Sequence, residues 1–345
     1  MITTSANGIK SKVMIVPDFL RKYSYVRNAL NIFFLAVLCL VIWQFRKEVI
    51  SALKLSISIG WGFLLLPILF FVWNTFATKG WQALLNRQND CNKASFWNLF
   101  LLRVQSQAIN QVLPVSGIGG EALRSFKTRE NSSLRNSTMI VVVDKTIDVV
   151  ADFVIAIAGV LVAFSLAELN MGMVILFGSI LVLLTGIILF WKIILKNCTI
   201  FIKSGHYKKN LNELLNDNTL ERATRKSFVY HFIEHVIMMM EIYVVAKFIG
   251  IDLGIQQLLY CNAVGTLFNV LFIAVPARAG AFECSLAFAF SQMGLMTSAG
   301  ISVALIRRAR QILVCFTGLV LFFYKKRRIN VPVQNKKMST VIELP

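Results

Sequence analysis

The sequence predicts an all-α integral membrane protein. Of its 345 residues, 57% are hydrophobic and only 15% are charged, and the mean hydropathy is +0.67, far above what a soluble domain needs to fill its core. Many apolar runs have the length of about 20 residues that crosses the hydrocarbon of a bilayer as a helix. Because backbone groups find no water there, and because the alternating pattern of a membrane barrel is absent, we expect helices throughout.

Eight hydrophobic segments lie between residues 27 and 324. Two of them, Phe96–Arg124 and Gln256–Met296, are interrupted near their middles by Gly, Pro and amide residues, which predicts broken or re-entrant helices. Residues 1–26 form an N-terminal segment and residues 325–345 a basic tail. The other six segments are predicted to span the membrane: Arg27–Gln44, Leu55–Ala77 with a kink at Pro67, Thr138–Phe164, Met173–Leu195, Phe228–Ile249 and Ile301–Tyr324.

Lys and Arg are unevenly distributed among the connections. If the N terminus is cytoplasmic, 27 of them lie in cytoplasmic segments, with Arg103 and Arg124 counted as loop charges there, and 3 lie outside. The positive-inside rule therefore predicts a bacterial cytoplasmic membrane protein with both termini in the cytoplasm. The formal net charge of +19 indicates contact with anionic lipids. The sequence has no aromatic-basic module and no zinc spacing that would suit binding to a nucleic-acid groove or single strand, so we expect no nucleic-acid partner.

On this orientation the two broken segments enter the membrane from opposite faces. They also share a weak pattern, in which an Asn precedes a Pro and a Glu follows that Pro by seven residues: Asn110, Pro114 and Glu121 in the first, Asn269, Pro276 and Glu283 in the second. We therefore predict an inverted repeat with halves of about residues 27–164 and 173–324, as in many secondary transporters. The alternative is a coincidental Pro/Glu spacing.

The run from Asn110 to Arg124 carries the strongest local signal. Pro114 lacks an N–H, and Gly119 and Gly120 tolerate unusual backbone angles, so we expect a helix break that lines a cavity or is buried in protein. A helix restarting near Gly120 would present its positive N-terminal end to an anionic headgroup or to the carboxylate that follows. Arg124, one turn later, could bind a phosphate with two hydrogen bonds. The alternative is a Gly-rich cytoplasmic turn in which Arg124 is a positive-inside charge.

Asp144, Asp148 and Asp152 recur every four residues and form one stripe on the third predicted span, with Lys145 beside the first. Because a charge at a membrane helix centre costs about 2.5–3.5 kcal/mol, the stripe implies partners or water. It is a candidate proton site or a set of partners for Arg residues across a cavity. Structural ion pairing is the alternative, above all for Asp144. Glu241 is a further candidate for a buried carboxylate.

His231, Glu234 and His235 match the H-x-x-E-H pattern, in which two histidines bind zinc and the glutamate acts as a base. A third ligand at a suitable place is missing. The predicted span begins at Phe228, which places the motif in the first turns, where interfacial polar residues are common. We therefore expect interfacial or cavity-lining polarity, no metal and no other cofactor, with an intramembrane metal-dependent lipid-processing enzyme as an alternative.

Four arginines lie in or beside the second broken segment and the last span: Arg278, Arg307, Arg308 and Arg310. On the predicted orientation they lie towards the outer leaflet, where other positive charge is scarce, so they are candidates for ligand binding. Pairing with Glu283, or contact with outer headgroups, is the alternative.

At these residues the sequence resembles the flippase-like family typified by the transmembrane region of lysylphosphatidylglycerol synthase. The resemblance extends from about Val26 to Tyr324. Lys145 stands where Arg is usual, and the stretch around Gly280 is poorer in Gly than the family pattern. Three patterns carry the resemblance: the N-x-x-x-P…G-G-E-x-x-R run from Asn110 to Arg124, the acidic-basic-x-x-Asp pattern of Asp144, Lys145 and Asp148, and Pro276, Gly280 and Glu283 followed by Arg307.

The resemblance implies a membrane domain that moves or presents lipids, including aminoacylated phospholipids, between leaflets. Only about 20 residues follow Tyr324, so we expect no lipid aminoacylation and no enzyme activity. The expected partners are membrane lipids, above all an anionic phospholipid, and a neighbouring lipid-modifying enzyme; the oligomeric state is not predicted. A small-solute secondary transporter is the alternative.

In the expected mechanism, Arg124 and Arg307 contact the phosphate from opposite sides, while Asp148, Glu121 and Glu283 balance charge or couple a proton. The predicted headgroup cavity comprises Asn110, Pro114, Gly119, Gly120, Glu121, Arg124, Asp144, Asp148, Asp152, Glu241, Asn269, Pro276, Arg278, Gly280, Glu283 and Arg307.

Overall fold

The computed structural model describes residues 46–87, 94–112, 118–128, 134–166, 218–272 and 280–324, together with positions 178, 186, 275 and 278. Every regular element among these residues is a helix, which confirms the predicted all-α fold. From Lys47 onwards they belong to one compact unit. The following predictions lie outside the described residues: the N-terminal segment, the span Arg27–Gln44, all but two positions of Met173–Leu195, Pro114, Pro276 and the basic tail.

Nine α-helices are described, in chain order: α1 (Arg46–Ile57), α2 (Leu65–Leu85), α3 (Phe96–Val112), α4 (Ile118–Thr128), α5 (Leu134–Leu166), α6 (Asn218–Phe248), α7 (Ile255–Leu271), α8 (Ala281–Gln292) and α9 (Thr297–Tyr324). A 3₁₀ helix, Gly60–Leu64, leads directly into α2. Pro67 therefore lies in the first turn of α2, where its missing N–H costs little. Each predicted broken segment is a pair of helices, α3 with α4 and α7 with α8, which we call the first and second hairpins.

The helices around the two hairpins pack in equivalent ways. Within each half, the two arms of the hairpin contact each other, and the second arm contacts the helix that follows it. That following helix also packs against the first arm of the other hairpin, α5 on α7 and α9 on α3. The helices before the hairpins, α2 and α6, make the most extensive contact of all. Exchanging α2–α5 with α6–α9 therefore leaves this set of contacts unchanged.

Glycines allow the two crossings between the halves to be close. A Cβ atom added at Gly159 in α5 would collide with the carbonyl oxygen of Leu259 in α7. One added at Gly318 in α9 would meet the carbonyl oxygen of Val104 in α3 in the same way. Small residues let membrane helices approach to backbone contact. At both crossings, therefore, a glycine permits backbone contact between the two helices.

Gly159→Ala is expected to destabilise the protein by about 1–3 kcal/mol, because the added methyl group meets a backbone atom and one of the helices has to move. The measurement is the Tm in detergent, followed by circular dichroism. Gly265→Ala is the matched control, since this helical glycine of α7 has open space at its Cβ position. Equal Tm values for the two variants would show that α5 and α7 are not held at backbone contact.

Two described helical stretches, Gly60–Leu85 and Thr219–Phe248, are long and apolar enough to cross a membrane, judged by length and composition. Large apolar side chains are also exposed outside the core, among them Trp61 at 87%, Phe316 at 68% and Ile312 at 64%. Exposed apolar surface of this kind suits a hydrocarbon environment better than water.

Candidate functional site

A cavity of about 500 Å³ lies between the two hairpins, and every described helix from α2 to α9 contributes to its wall. Its basic lining residues are Arg103, Arg124, Lys145, Arg278, Arg307 and Arg310, and its acidic ones are Glu121, Asp148, Asp152 and Glu234. The predicted site residues in the wall are Asn110, Glu121, Arg124, Asp148, Asp152, Asn269, Arg278 and Arg307. Six described residues of the predicted set are not part of the wall: Gly119, Gly120, Asp144, Glu241, Gly280 and Glu283.

The first arm of each hairpin presents a polar stripe to the cavity. The stripes have the same spacing, i, i+4 and i+7, and consist of Arg103, Gln107 and Asn110 in α3 and of Asn262, Thr266 and Asn269 in α7. The Oδ1 atom of Asn269 is buried and accepts no hydrogen bond from a described residue. This acceptor is therefore available to a donor in the cavity.

The start of α4 is fixed against α3. Asn110 Oδ1 accepts a hydrogen bond from the Gly120 N–H at 2.6 Å, and Asn110 Nδ2 donates to Glu121 Oε2 at 3.2 Å. A Cβ atom at Gly120 would collide with the carbonyl oxygen of Ser106. Gly120 is thus required for close packing, and the carboxylate in the first turn of α4 is that of Glu121. A negative group at this position is favoured by the helix dipole.

Asp144 is the centre of a buried ion-pair network. Its carboxylate accepts a hydrogen bond from Arg124 Nη2, and Arg103 Nη1 lies 3.5 Å away. Asp144 is 1% exposed and Arg124 is 4% exposed. The Arg124 guanidinium also lies over the Trp81 ring, 4.0 Å from its centroid. The ion pair with Asp144 therefore fixes Arg124 at the cavity wall.

The two histidines of α6 face the aspartates of α5. His231 Nε2 lies 3.0 Å from Asp144 Oδ1, and His231 Nδ1 lies 2.7 Å from Glu234 Oε2. His235 Nε2 lies 3.0 Å from Asp148 Oδ1. Because α6 begins at Asn218, the motif lies well inside its helix, and the prediction that it occupies the first turns is wrong. His231 is fully buried, so the motif is part of the protein interior.

Among the described residues, Asp148, His231 and Glu234 could each offer one metal ligand atom, and these atoms lie within 4.8 Å of one another. Both ring nitrogens of His231, however, already face carboxylates, and Asp148 Oδ2 accepts a hydrogen bond from Lys145 Nζ at 2.6 Å. A divalent cation would have to break these bonds and bind beside Arg103, whose Nη2 is 3.4 Å from Glu234 Oε1. We therefore describe the group as an ion-pair network and assign no metal ligand.

Glu241 anchors the positive charges of α9. It is fully buried and accepts hydrogen bonds from Arg310 Nε at 3.0 Å and from Arg310 Nη2 at 3.3 Å. Arg307 Nε lies 3.8 Å from Glu241 Oε2, beyond hydrogen-bond distance, and has no acceptor among the described residues. Arg307 is thus held near a carboxylate while one of its donors is unused.

The turn between α7 and α8 holds another arginine at the cavity. Arg278 has φ 48°, a value rare for residues other than Gly, and Gly280 has φ 85°. The Arg278 carbonyl oxygen accepts a hydrogen bond from Arg308 Nη2 at 3.4 Å, and Arg308 also binds both carboxylate oxygens of Glu283, at 3.1 and 3.2 Å. The predicted pairing alternative for Glu283 is therefore satisfied by Arg308, and this pair braces the turn that carries Arg278.

Sequence reasoning missed Arg103 as a site residue and counted it among the loop charges. The structure places it inside α3 at 7% exposure, between Asp144 and Glu234. An arginine within the apolar run Phe96–Val112 was the signal that could have found it. Arg124 was counted as a loop charge as well and is equally buried. If Arg103 and Arg124 are left out of the count, most of the Lys and Arg residues still lie in the predicted cytoplasmic segments.

Comparison with known families gives one match. The family model described as the lysylphosphatidylglycerol synthase TM region matches residues 28–318, which include every residue of the cavity wall. No curated protein and no solved structure matches the chain.

Proposed function

The chain belongs to the lysylphosphatidylglycerol synthase TM region family, a membrane domain linked to lipid-related functions, and from that premise we propose that it moves or presents an anionic or modified phospholipid between leaflets. The observation that carries the proposal is the cavity, in which basic side chains from both hairpins face one space. Its volume of about 500 Å³ is within the range of roughly 300–1,000 Å³ that small-molecule sites occupy. The chain acts in this proposal as a transporter and not as an enzyme.

Unused donors in the wall support binding of an anion. Arg124 in the first half and Arg307 in the second each keep a buried Nε–H without a hydrogen-bond acceptor among the described residues. A buried donor left without a partner costs about 1–3 kcal/mol, and a phosphate oxygen would relieve that cost. The phosphate would thus be held from both halves, while the acyl chains stay in the bilayer.

The equivalent packing of the two halves supports an inverted repeat. The paired crossings at Gly159 and Gly318 and the identical spacing of the two polar stripes add to this support. In transporters with inverted repeats, one half rocks against the other around a site near the bilayer midplane. Both termini are cytoplasmic in this proposal, and the membrane is the cytoplasmic membrane of a bacterium. An adjacent lipid-modifying enzyme would supply or consume the lipid.

Reconstitution in liposomes tests the proposal. The probe is a phosphatidylglycerol with a fluorescent headgroup, and a membrane-impermeant quencher reports how much of it is in the outer leaflet. We expect the purified chain to raise the rate of leaflet exchange above that of protein-free liposomes. Exchange no faster than in protein-free liposomes for both anionic and zwitterionic lipids, together with thermal stabilisation by a small solute, would instead support the small-solute transporter.

Arg278→Gln is expected to slow this exchange by about tenfold or more, because one charge-assisted hydrogen bond to a phosphate is worth about 1.5–3 kcal/mol. Arg and Gln are equally disfavoured at φ 48°, so the substitution adds no backbone strain and the folded state should change little. Arg225→Gln is the matched control, since Arg225 is 80% exposed, pairs with Glu221 of its own helix and lies outside the cavity wall. The same rate in both variants would remove Arg278 from the headgroup site.

A further inference from the structure

Five side chains alternate along the contact between α5 and α6, and we call them the acid–imidazole ladder: Asp144, His231, Asp148, His235 and Asp152. The distances between the ring nitrogens and the nearest carboxylate oxygens, taken along the ladder, are 3.0, 3.7, 3.0 and 3.6 Å. The alternation arises because the aspartates and the histidines both recur every four residues, and each set therefore lies on one face of its helix. Each imidazole is placed between two carboxylates.

The ladder extends from the dry interior to the cavity. Side-chain exposure is 1% for Asp144 and 0% for His231, then 12% for both Asp148 and His235, and it reaches 24% for Asp152. The last three residues line the cavity and the first two do not. Asp152 also accepts a hydrogen bond from Thr266 of α7 at 3.1 Å, which fixes the cavity end. The ladder therefore connects the headgroup space to the interior.

Fixed charges surround both imidazoles. Arg124 of α4, Arg103 of α3 and Glu234 of α6 surround His231 beside its aspartates. Lys145 of α5 pairs with Asp148, which lies beside His235. Thr266 of α7 donates a hydrogen bond to Asp152, the other carboxylate beside His235.

These charges nearly balance. The three cations offset three carboxylates, those of Asp144, Asp148 and Glu234. The charge of Asp152 is then balanced by His231 as an imidazolium, because both of its ring nitrogens lie within hydrogen-bond distance of carboxylate oxygens and each must donate an N–H. Because an uncompensated charge within a membrane protein is costly, protonation of the second imidazole, His235, depends on any further charge that enters the cavity.

We propose that the acid–imidazole ladder is a proton-binding site coupled to the cavity, so that an anionic headgroup enters together with one proton. This inference rests on the proposed function. A hydronium ion in the cavity donates the proton: its O–H bond breaks and leaves a water molecule, and an N–H bond forms on neutral His235 between Asp148 and Asp152. The negative headgroup and the added proton leave the total charge unchanged. By linkage, protonation strengthens headgroup binding by the same factor by which the headgroup promotes protonation.

The test measures proton uptake directly. The full-length chain in detergent is titrated with a short-chain phosphatidylglycerol in weakly buffered solution that contains a pH-indicator dye, near neutral pH, where histidine commonly titrates. We expect an uptake of about one proton per chain as the lipid binds. Phosphatidylcholine of the same chain length is expected to cause no uptake, because its headgroup adds no net charge.

Variants at the cavity end sharpen the test. His235→Gln and Asp152→Asn are each expected to reduce the uptake to near zero, and using both guards against one of them failing to fold. Asp252→Asn is the matched control, because this carboxylate is 84% exposed and pairs with Lys247 at the surface; its uptake should equal that of the wild type. Uptake in both ladder variants equal to that of the control would overturn the proposal.

The results also separate this proposal from the proposed function. Leaflet exchange in liposomes without proton uptake in detergent would remove the coupling and leave the lipid translocase intact. Proton uptake without leaflet exchange would support the ladder and count against translocation. Absence of phosphatidylglycerol binding would overturn the coupling, since no anionic headgroup would then bind together with the proton.

Discussion

Asp144→Asn is expected to lower the free energy of unfolding by about 3–5 kcal/mol, which is the cost of leaving a buried charge without its partner. The carboxylate neutralises Arg124, lies 3.5 Å from Arg103 and faces His231. An amide cannot replace that charge, and at 1% exposure of Asp144 the bulk solvent cannot screen the charge that is left. We expect low yields of monodisperse protein and a markedly reduced Tm in detergent.

Asp252→Asn serves again as the control for this substitution. Its carboxylate lies 3.4 Å from Lys247 Nζ, but both side chains are more than half exposed, and such pairs contribute about 0–1 kcal/mol. The chemical change is the same in both variants, so a difference in Tm isolates burial. If Asp144→Asn had the Tm of the control, stacking on Trp81 and not the ion pair would have to hold Arg124.

The helical elements were predictable because their signals are local. Apolar runs of membrane length gave α5, α6 and α9, and Gly, Pro and amide residues marked the breaks inside both hairpins. The start of α6 was placed about ten residues too late, since the polar residues 218–227 hide the helix in a hydropathy pattern. That error also led to the wrong placement of the His231 motif.

The pairing of side chains was much harder to predict. The four-residue spacing correctly put the three aspartates on one face, yet the period of a helix does not identify the helix that packs against that face. His231 and Asp144 are separated by 87 positions, and Arg310 and Glu241 by 69. For the same reason, the sequence left four arginines as candidate partners of Glu283 and did not single out Arg308.

Glu241→Gln is expected to have an effect of similar size, about 3–5 kcal/mol. The substitution leaves Arg310 without its bidentate partner and Arg307 without the nearest negative charge, and both guanidinium groups are about nine-tenths buried. The rings of Phe70 and Trp73 lie 5.5 and 5.9 Å from the Arg310 guanidinium carbon, but a cation–π contact of about 0.5–2 kcal/mol cannot offset the loss.

Glu283→Gln provides the matched comparison, because it also breaks an ion pair between a glutamate and an arginine of α9. Its carboxylate is 24% exposed and its partner Arg308 is 19% exposed, so water can replace part of the interaction. We expect a clearly smaller loss of Tm than for Glu241→Gln. Equal losses of Tm would mean that water reaches Glu241 as readily as it reaches Glu283.

The double variant Glu241→Gln/Arg310→Gln separates the cost of an unpaired charge from the worth of the pair. Removing both partners eliminates the uncompensated charge, so the Tm should recover part of what Glu241→Gln loses. Recovery cannot be complete, because Arg307 still faces the position of the lost carboxylate. If the double variant were less stable than the single one, Arg310 would stabilise α9 mainly through its contacts with the aromatic rings of α2, and Glu241 would be secondary to that packing.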